Sequence, residues 1–194
     1  MGLFDTILGR GKKSAGPAKS DRLFALTTAY ITLETAVGIT TRGSAAIVFQ
    51  PLGTGDFAVV VQDVEEVVRA TGEETGTTVE TTEDSFGYRW MILRDPDVED
   101  LVVGVNAVRD ALAVGGYADR VLCAVFAFSD STRGDRPAYL IYNEKRGTWY
   151  PFIPGAGEQQ RDSEAELRLR AQLGTELPLE QDIDRWLALW GIPI

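Results

Sequence analysis

The sequence of 194 residues contains no histidine and a single cysteine, Cys123. Without histidine, the chain cannot form a Ser-His-Asp triad, a Cys-His dyad or a zinc site with histidine ligands. One cysteine cannot form a disulfide within the chain. No apolar run approaches the roughly 20 residues that span a bilayer, and we find no secretory signal. We therefore expect a cytoplasmic protein, and no group of residues predicts an enzyme, a cofactor or a metal site.

Lysine is also scarce, and its placement divides the chain into two regions. Three of the four lysines lie within the first 19 residues. Residues 1–20 contain four basic residues and one acidic residue, a net charge of +3, whereas the 15 basic and 28 acidic residues of 21–194 give −13. An acidic surface repels nucleic acid, so we expect no DNA or RNA binding. The predicted organisation is a basic, amphipathic N-terminal segment with a linker over 1–20, followed by a single domain over 21–194.

Hydrophobic periodicity predicts alternating strands and helices in that domain. The predicted strands cover residues 30–36, 45–50, 57–60, 78–83, 86–94, 121–128, 138–142 and 148–152. The predicted helices cover residues 22–28, 62–71, 96–114, 163–173 and 183–190. Paired strands separated by single helices indicate an α+β fold with a mainly antiparallel sheet and C-terminal helices.

The strongest elements also predict caps and a core. Asp95 is placed to cap the helix that starts at Pro96, and Ser163 with Glu166 matches a capping box. The apolar faces of the strongest elements contain the residues that we expect to be buried: Trp90, Leu101, Val105, Val125, Phe126, Leu140 and Trp186.

The first ten residues predict a short amphipathic helix with basic residues after it. Such a segment is typical of weak, reversible contact with an anionic membrane surface. The alternatives are that this helix docks on a protein partner or packs on the body of the protein. The candidate membrane-contact residues are the apolar side of the helix and the basic residues that follow: Leu3, Phe4, Ile7, Leu8, Arg10, Lys12 and Lys13.

The most distinctive stretch of the body is YNEKRGTWYPF, residues 142–152. It places two cations at a predicted turn and three aromatic residues directly after them. Aromatic side chains next to arginine are typical of interface hot spots. The alternative is a hairpin whose aromatic side chains fill the core, and full burial of all three would favour that alternative. The candidate partner-binding residues are Lys145, Arg146, Trp149, Tyr150 and Phe152.

Four stretches of this chain resemble the family of the PspA-associated protein PspAB, found in actinobacteria and archaea. They are MGLFDTILGR, ETTEDSFGYRWMILR, LCAVFAF with the following LIYNEKRGTWYPFIPG, and the final DRWLALWGIPI. The resemblance covers nearly the whole chain, and KRGTWYPF is its most specific part. It implies a role in the phage-shock, or envelope-stress, response built around PspA. The candidate partners that it implies are PspA and a membrane-bound protease system of the HtpX type, and it supplies no catalytic residues.

Two classes of function follow from these observations. The first is a non-enzymatic cytoplasmic adaptor of a PspA-type membrane-stress response, peripheral at the inner face of the cell membrane through its N-terminal helix. The second is a soluble chaperone-like module that binds a peptide or protein segment through its sheet or through residues 149–152. Turnover of a substrate by the purified chain would indicate a third class, an enzyme.

Overall fold

A computed structural model describes residues 19–194, without the side chains of residues 19, 20, 71 and 73–75. None of the helices in this part of the chain combines the length and the hydropathy needed to cross a bilayer. The candidate membrane-contact residues lie outside the described part of the chain: Leu3, Phe4, Ile7, Leu8, Arg10, Lys12 and Lys13.

The described residues form an antiparallel sheet with helices on one side. The α-helices are α1 (Lys19–Thr32), α2 (Gly55–Thr75), α3 (Val98–Val114) and α4 (Ser163–Leu173). The strands are β1 (Ile39–Phe49), β2 (Thr78–Glu83), β3 (Arg89–Arg94), β4 (Val121–Asp130), β5 (Arg136–Asn143) and β6 (Thr148–Phe152). The six strands pair in the order β2-β3-β1-β4-β5-β6, and each pair is antiparallel. The predicted α+β class is confirmed.

Both faces of this sheet are apolar, but different structures cover them. Successive residues of a strand point to opposite faces, and the central strands β1 and β4 are apolar on both. On one face, Ile47 and Phe126 pack with helix residues such as Leu101. On the other face, Val48 and Val125 belong to a second cluster, which is covered by residues 186–194. We call these the helix-covered face and the strap-covered face.

The predicted core is confirmed at every position. Each of the seven residues is at most 3% exposed: Trp90, Leu101, Val105, Val125, Phe126, Leu140 and Trp186. Helix α3 approaches the sheet closely at Gly104, where a Cβ atom would collide with the side chain of Leu93. The helix stripe read from the sequence therefore faces the sheet as expected.

Two predicted strands are wrong, because both segments are helical. Residues 30–36 continue α1 into a π-helical turn, Leu33–Val37. The β-branched residues in this stretch suggest a strand, but Leu26, Ala29 and Leu33 form a buried stripe at helical spacing. Residues 57–60 lie in α2, which begins earlier than predicted because the Thr54 side chain accepts a hydrogen bond from the N–H of Phe57.

The predicted final helix is also wrong, so α4 is the one α-helix described after the sheet. A single 3₁₀ turn, Ile183–Arg185, is followed by residues without regular secondary structure. A helix would place the apolar side chains of this segment along one narrow stripe. The irregular path instead spreads them over the strap-covered face, where the partly buried residues are Ala188, Leu189, Trp190, Ile192 and Ile194.

Both predicted caps differ from the structure by one or two residues. Asp97, not Asp95, caps α3 by accepting a hydrogen bond from the N–H of Glu99. Asp95 is buried and accepts hydrogen bonds from the Thr77 hydroxyl and from the N–H of Asp97. Asp162 caps α4 by accepting a hydrogen bond from the N–H of Ala165. The Glu166 carboxylate therefore does not form the capping box that the sequence predicts.

Candidate protein-binding surfaces

The aromatic residues of β6 are core residues, which corrects their expected role as an exposed partner surface. Trp149, Tyr150 and Phe152 are 0%, 3% and 1% exposed. The indole of Trp149 lies on the helix-covered face, with its ring centroid 5.1 Å from that of Tyr142. Its Nε1 donates a hydrogen bond to the carbonyl of Arg22 at 2.8 Å. This contact ties the start of α1 to the edge of the sheet.

The other two aromatic side chains point to the strap-covered face, because residues of a strand alternate. Tyr150 stacks on Trp186 with ring centroids 6.4 Å apart, and Phe152 meets the edge of Trp190 at 5.1 Å. Burial raises the pKa of Tyr150 well above its usual range. All three aromatic residues are buried because both faces of the sheet are covered, and a sequence pattern with period two does not reveal such a double cover.

The two cations of the same hairpin remain exposed, so they are the part of the predicted site that a partner can reach. Lys145 and Arg146 lie in the turn between β5 and β6. The Asn143 side chain accepts a hydrogen bond from the N–H of Arg146 at 3.1 Å, and Gly147 completes the turn with a φ of 64°. A residue with a side chain would be strained at that angle. The turn therefore holds both cations at the surface.

Glu180 lies beside Arg146 and connects it to a further cation, Arg185. Its N–H donates to the carbonyl of Trp149 at 2.8 Å, which places it beside β6. Its carboxylate, in a side chain that is 10% exposed, lies 3.8 Å from Nε of Arg146 and 3.9 Å from Nη1 of Arg185. We call Lys145, Arg146 and Arg185 the basic patch. Because Glu180 and Arg185 come more than 30 residues after the turn, sequence spacing alone does not indicate their contact.

Comparison with known proteins decides the family. A family model, PspAB (PspA associated protein B), matches residues 1–194, the whole chain. The chain belongs to this family. The resemblance carried by KRGTWYPF and the other stretches is confirmed, and membership links the chain to PspA. No curated protein and no solved structure matches it.

A second surface lies in the ETTEDSFGYRW stretch, at the tip of the hairpin formed by β2 and β3. Phe86 at the tip is 75% exposed. The Asp84 carboxylate accepts hydrogen bonds from the N–H groups of Phe86 and Tyr88, at 2.9 and 3.0 Å, and from Trp90 Nε1 at 2.9 Å. Partial burial pushes the pKa of Asp84 upward, but these hydrogen bonds outweigh it and lower that pKa. The loop is thus fixed around an exposed aromatic ring, whereas the sequence pattern predicts Phe86 as part of a strand.

Proposed function

We propose that the protein is a non-enzymatic accessory protein of a PspA-type membrane-stress response, and that it acts in the cytoplasm by binding PspA. The observation that carries this proposal is the match of the whole chain to the PspA-associated family. The basic patch and the Phe86 loop supply surfaces for such contact, because arginine and aromatic side chains dominate the energetics of protein interfaces.

The basic patch favours an acidic segment of the partner. The guanidinium of Arg146 lies 3.8 Å from the Glu180 carboxylate, and a pair at that distance with an exposed arginine contributes little. Arg185 lies 3.9 Å from the same carboxylate and forms a closer ion pair, of 3.0 Å, with Asp182. Arg146 can therefore turn toward a carboxylate of the partner without losing a strong internal contact, whereas Arg185 would exchange its pair with Asp182 for the new one. The net charge of −10 repels an acidic partner at long range, so we expect binding to strengthen with moderate salt before the contact itself is screened.

The N-terminal segment adds a second proposed role, weak contact with an anionic membrane. Its four apolar and three basic residues suit reversible binding at a bilayer surface. Co-sedimentation with anionic vesicles at low salt tests this role. The intact chain should pellet with the vesicles, whereas Phe4→Asp should leave it in the supernatant. If the intact chain stays in the supernatant, the segment makes a protein contact instead.

Binding of purified PspA to the full chain tests the main proposal. The double variant Arg146→Ala with Arg185→Ala should weaken binding by about tenfold, equal to ~1.4 kcal/mol, because it removes the exposed charges. Arg69→Ala, an exposed arginine on α2, is the matched control and should bind as the native chain does. No measurable binding of PspA to the native chain would overturn the proposal. Equal losses of binding in the double variant and in Arg69→Ala would show that the basic patch is not the binding surface.

A chaperone-like module that binds a peptide segment is the second candidate function. The observation that favours it is the strap-covered face, where one irregular segment covers an apolar sheet. Binding of a peptide by the full chain, together with no measurable binding of PspA, would support this candidate over the first.

A further inference from the structure

The strap-covered face is a broad apolar surface built from five strands. Eleven of its strand residues belong to one buried cluster: Ala46, Val48, Trp90, Ile92, Cys123, Val125, Ala127, Tyr139, Ile141, Tyr150 and Phe152. Residues 187–194, which we call the strap, pack on this cluster from outside the sheet. If the strap left without a replacement, this surface would be exposed to water, and monomeric proteins rarely expose apolar patches of such extent.

Trp186 fixes the chain immediately before the strap. Its Nε1 donates a hydrogen bond to the carbonyl of Glu180 at 3.1 Å, and its ring is 3% exposed. Its own carbonyl accepts a hydrogen bond from the guanidinium of Arg161. Arg161 in turn forms an ion pair of 3.0 Å with Glu166, whose side chain is 4% exposed. The chain is therefore firmly held up to Trp186.

Beyond Trp186 the chain is attached to the sheet mainly by apolar contacts. Within the described structure, residues 187–194 form no hydrogen bond between their backbone and the backbone of the sheet. The hydroxyl of Tyr139 donates to the carbonyl of Ile194 at 3.3 Å, and the remaining contacts are apolar, such as that of Trp190 with Phe152. Apolar burial is not directional, so another apolar segment can replace the strap without matching a hydrogen-bond ladder.

The composition of the strap defines the chemistry that this face accepts. The strap, LALWGIPI, and Trp186 before it contain no charged residue, although 25% of the chain is charged. Their partly buried side chains are aliphatic and aromatic, and they occupy the face in an irregular, non-helical path. A ligand with the same features would make the same contacts.

We propose that the strap-covered face is a binding surface for an uncharged, irregular segment of a partner protein, rich in tryptophan, leucine and isoleucine, and that residues 187–194 occupy it until the partner displaces them. This inference goes beyond the proposed role with PspA, because any protein with such a segment fits the face. Opening and binding are coupled, since the partner segment takes over the burial of the exposed cluster.

Cys123 gives the molecule a built-in reporter of opening. It is the sole cysteine of the chain and lies in the cluster beneath the strap, 8% exposed. Burial raises the pKa of its thiol to about 12. Because the thiolate is the reactive form, the closed protein should react slowly with a thiol reagent, and departure of the strap should accelerate the reaction.

The rate of Cys123 labelling in the full chain tests whether the strap covers the face. Trp190→Ser removes a large apolar contact and should accelerate labelling by about tenfold through more frequent local opening. Leu187→Ser is the matched control, because Leu187 lies on the strap but is 61% exposed, and its rate should equal that of the native chain. If Trp190→Ser fails to fold by circular dichroism, Tyr139→Phe replaces it, because it removes only the hydrogen bond to Ile194. Unchanged labelling in the folded variant would overturn the proposal.

A peptide of sequence WLALWGIPI with an N-terminal lysine tag tests binding to the opened face. It should bind the Trp190→Ser chain in fluorescence anisotropy and should restore the slow labelling of Cys123. The same peptide with serine in place of its second tryptophan should do neither. If the variant opens but the native peptide neither binds nor protects, the face is an intramolecular core and the proposal fails. Because neither arm uses PspA, this result is independent of the proposed function.

Discussion

The two faces of the sheet bury similar apolar residues but use different means to cover them. The helix-covered face packs against helices such as α3, whose backbone hydrogen bonds are satisfied within each helix. The strap-covered face is closed by eight residues without regular secondary structure. The covering residues differ as well, because Val102, Val108 and Leu112 of α3 have no exposure, whereas the strap side chains that pack on the other face are only partly buried. The comparison shows that one apolar face is closed by regular helices and the other by a short irregular segment.

The largest expected effect comes from the helix-covered face. Leu101→Ala should lower the free energy of unfolding by about 2–4 kcal/mol, because it removes buried methyl groups and leaves a cavity between α3 and the sheet. Val103→Ala on the same helix is the control, since Val103 is 48% exposed, and it should change stability by less than about 0.5 kcal/mol. Urea unfolding measures both. Equal losses in the two variants would contradict the assignment of the buried stripe.

A smaller effect is expected at the junction between the body and the strap. Glu166→Gln keeps an acceptor for the N–H of Ile153 but removes the charge that balances Arg161. An unpaired guanidinium with partial burial should cost about 1–3 kcal/mol. Since Arg161 also holds the carbonyl of Trp186, Cys123 should be labelled faster as well.

The matched control for this junction is Glu164→Gln, an exposed carboxylate in the first turn of the same helix. It should leave both the unfolding curve and the labelling rate close to the native values. If Glu166→Gln destabilises the chain without accelerating the labelling of Cys123, the ion pair stabilises the body alone and does not anchor the strap.

The sequence predicts the helix-covered face better than the strap-covered face, and the reason is physical. The stripe of Leu101 and Val105 and the doubly apolar strand at Val125 follow from local periodicity, and the structure confirms them. The final segment has a helical spacing at Trp186 and Trp190, yet its conformation is set by the sheet on which it lies. Tertiary contacts override local propensity there.

The candidate partner-binding site could also be predicted only in part from the sequence. The turn with Lys145 and Arg146 is local, so the sequence places its cations correctly at the surface. The burial of Trp149 depends on α1, more than 120 residues away in the chain, and the basic patch depends on Glu180, which reaches the turn through pairing beside β6. Contacts over such separations leave no periodic signal in one sequence.

The smallest expected effect lies at the rim of the strap-covered face, where Asp84 holds the indole of Trp90. The hydrogen bonds to its carboxylate lower the pKa of Asp84 below its ordinary value of 3.8. The carboxylate therefore stabilises the folded state above the unfolded pKa of about 4, and this contribution is lost as the pH falls through the lower pKa of the folded state.

Asp84→Asn isolates this contribution, because Oδ1 can still accept from the N–H groups of Phe86 and Tyr88. Its amide N–H₂, however, replaces the oxygen that accepts from Trp90 Nε1. We expect a loss of about 1 kcal/mol at neutral pH, the contribution of one hydrogen bond. The difference in unfolding free energy between the native chain and the variant should shrink as the pH falls below about 4, because the carboxyl of the unfolded chain is protonated there while that of the folded chain still is not. Urea unfolding from pH 7 to pH 3 measures this difference, and a constant gap across that range would show that the charge of Asp84 does not stabilise the hairpin at the rim of the strap-covered face.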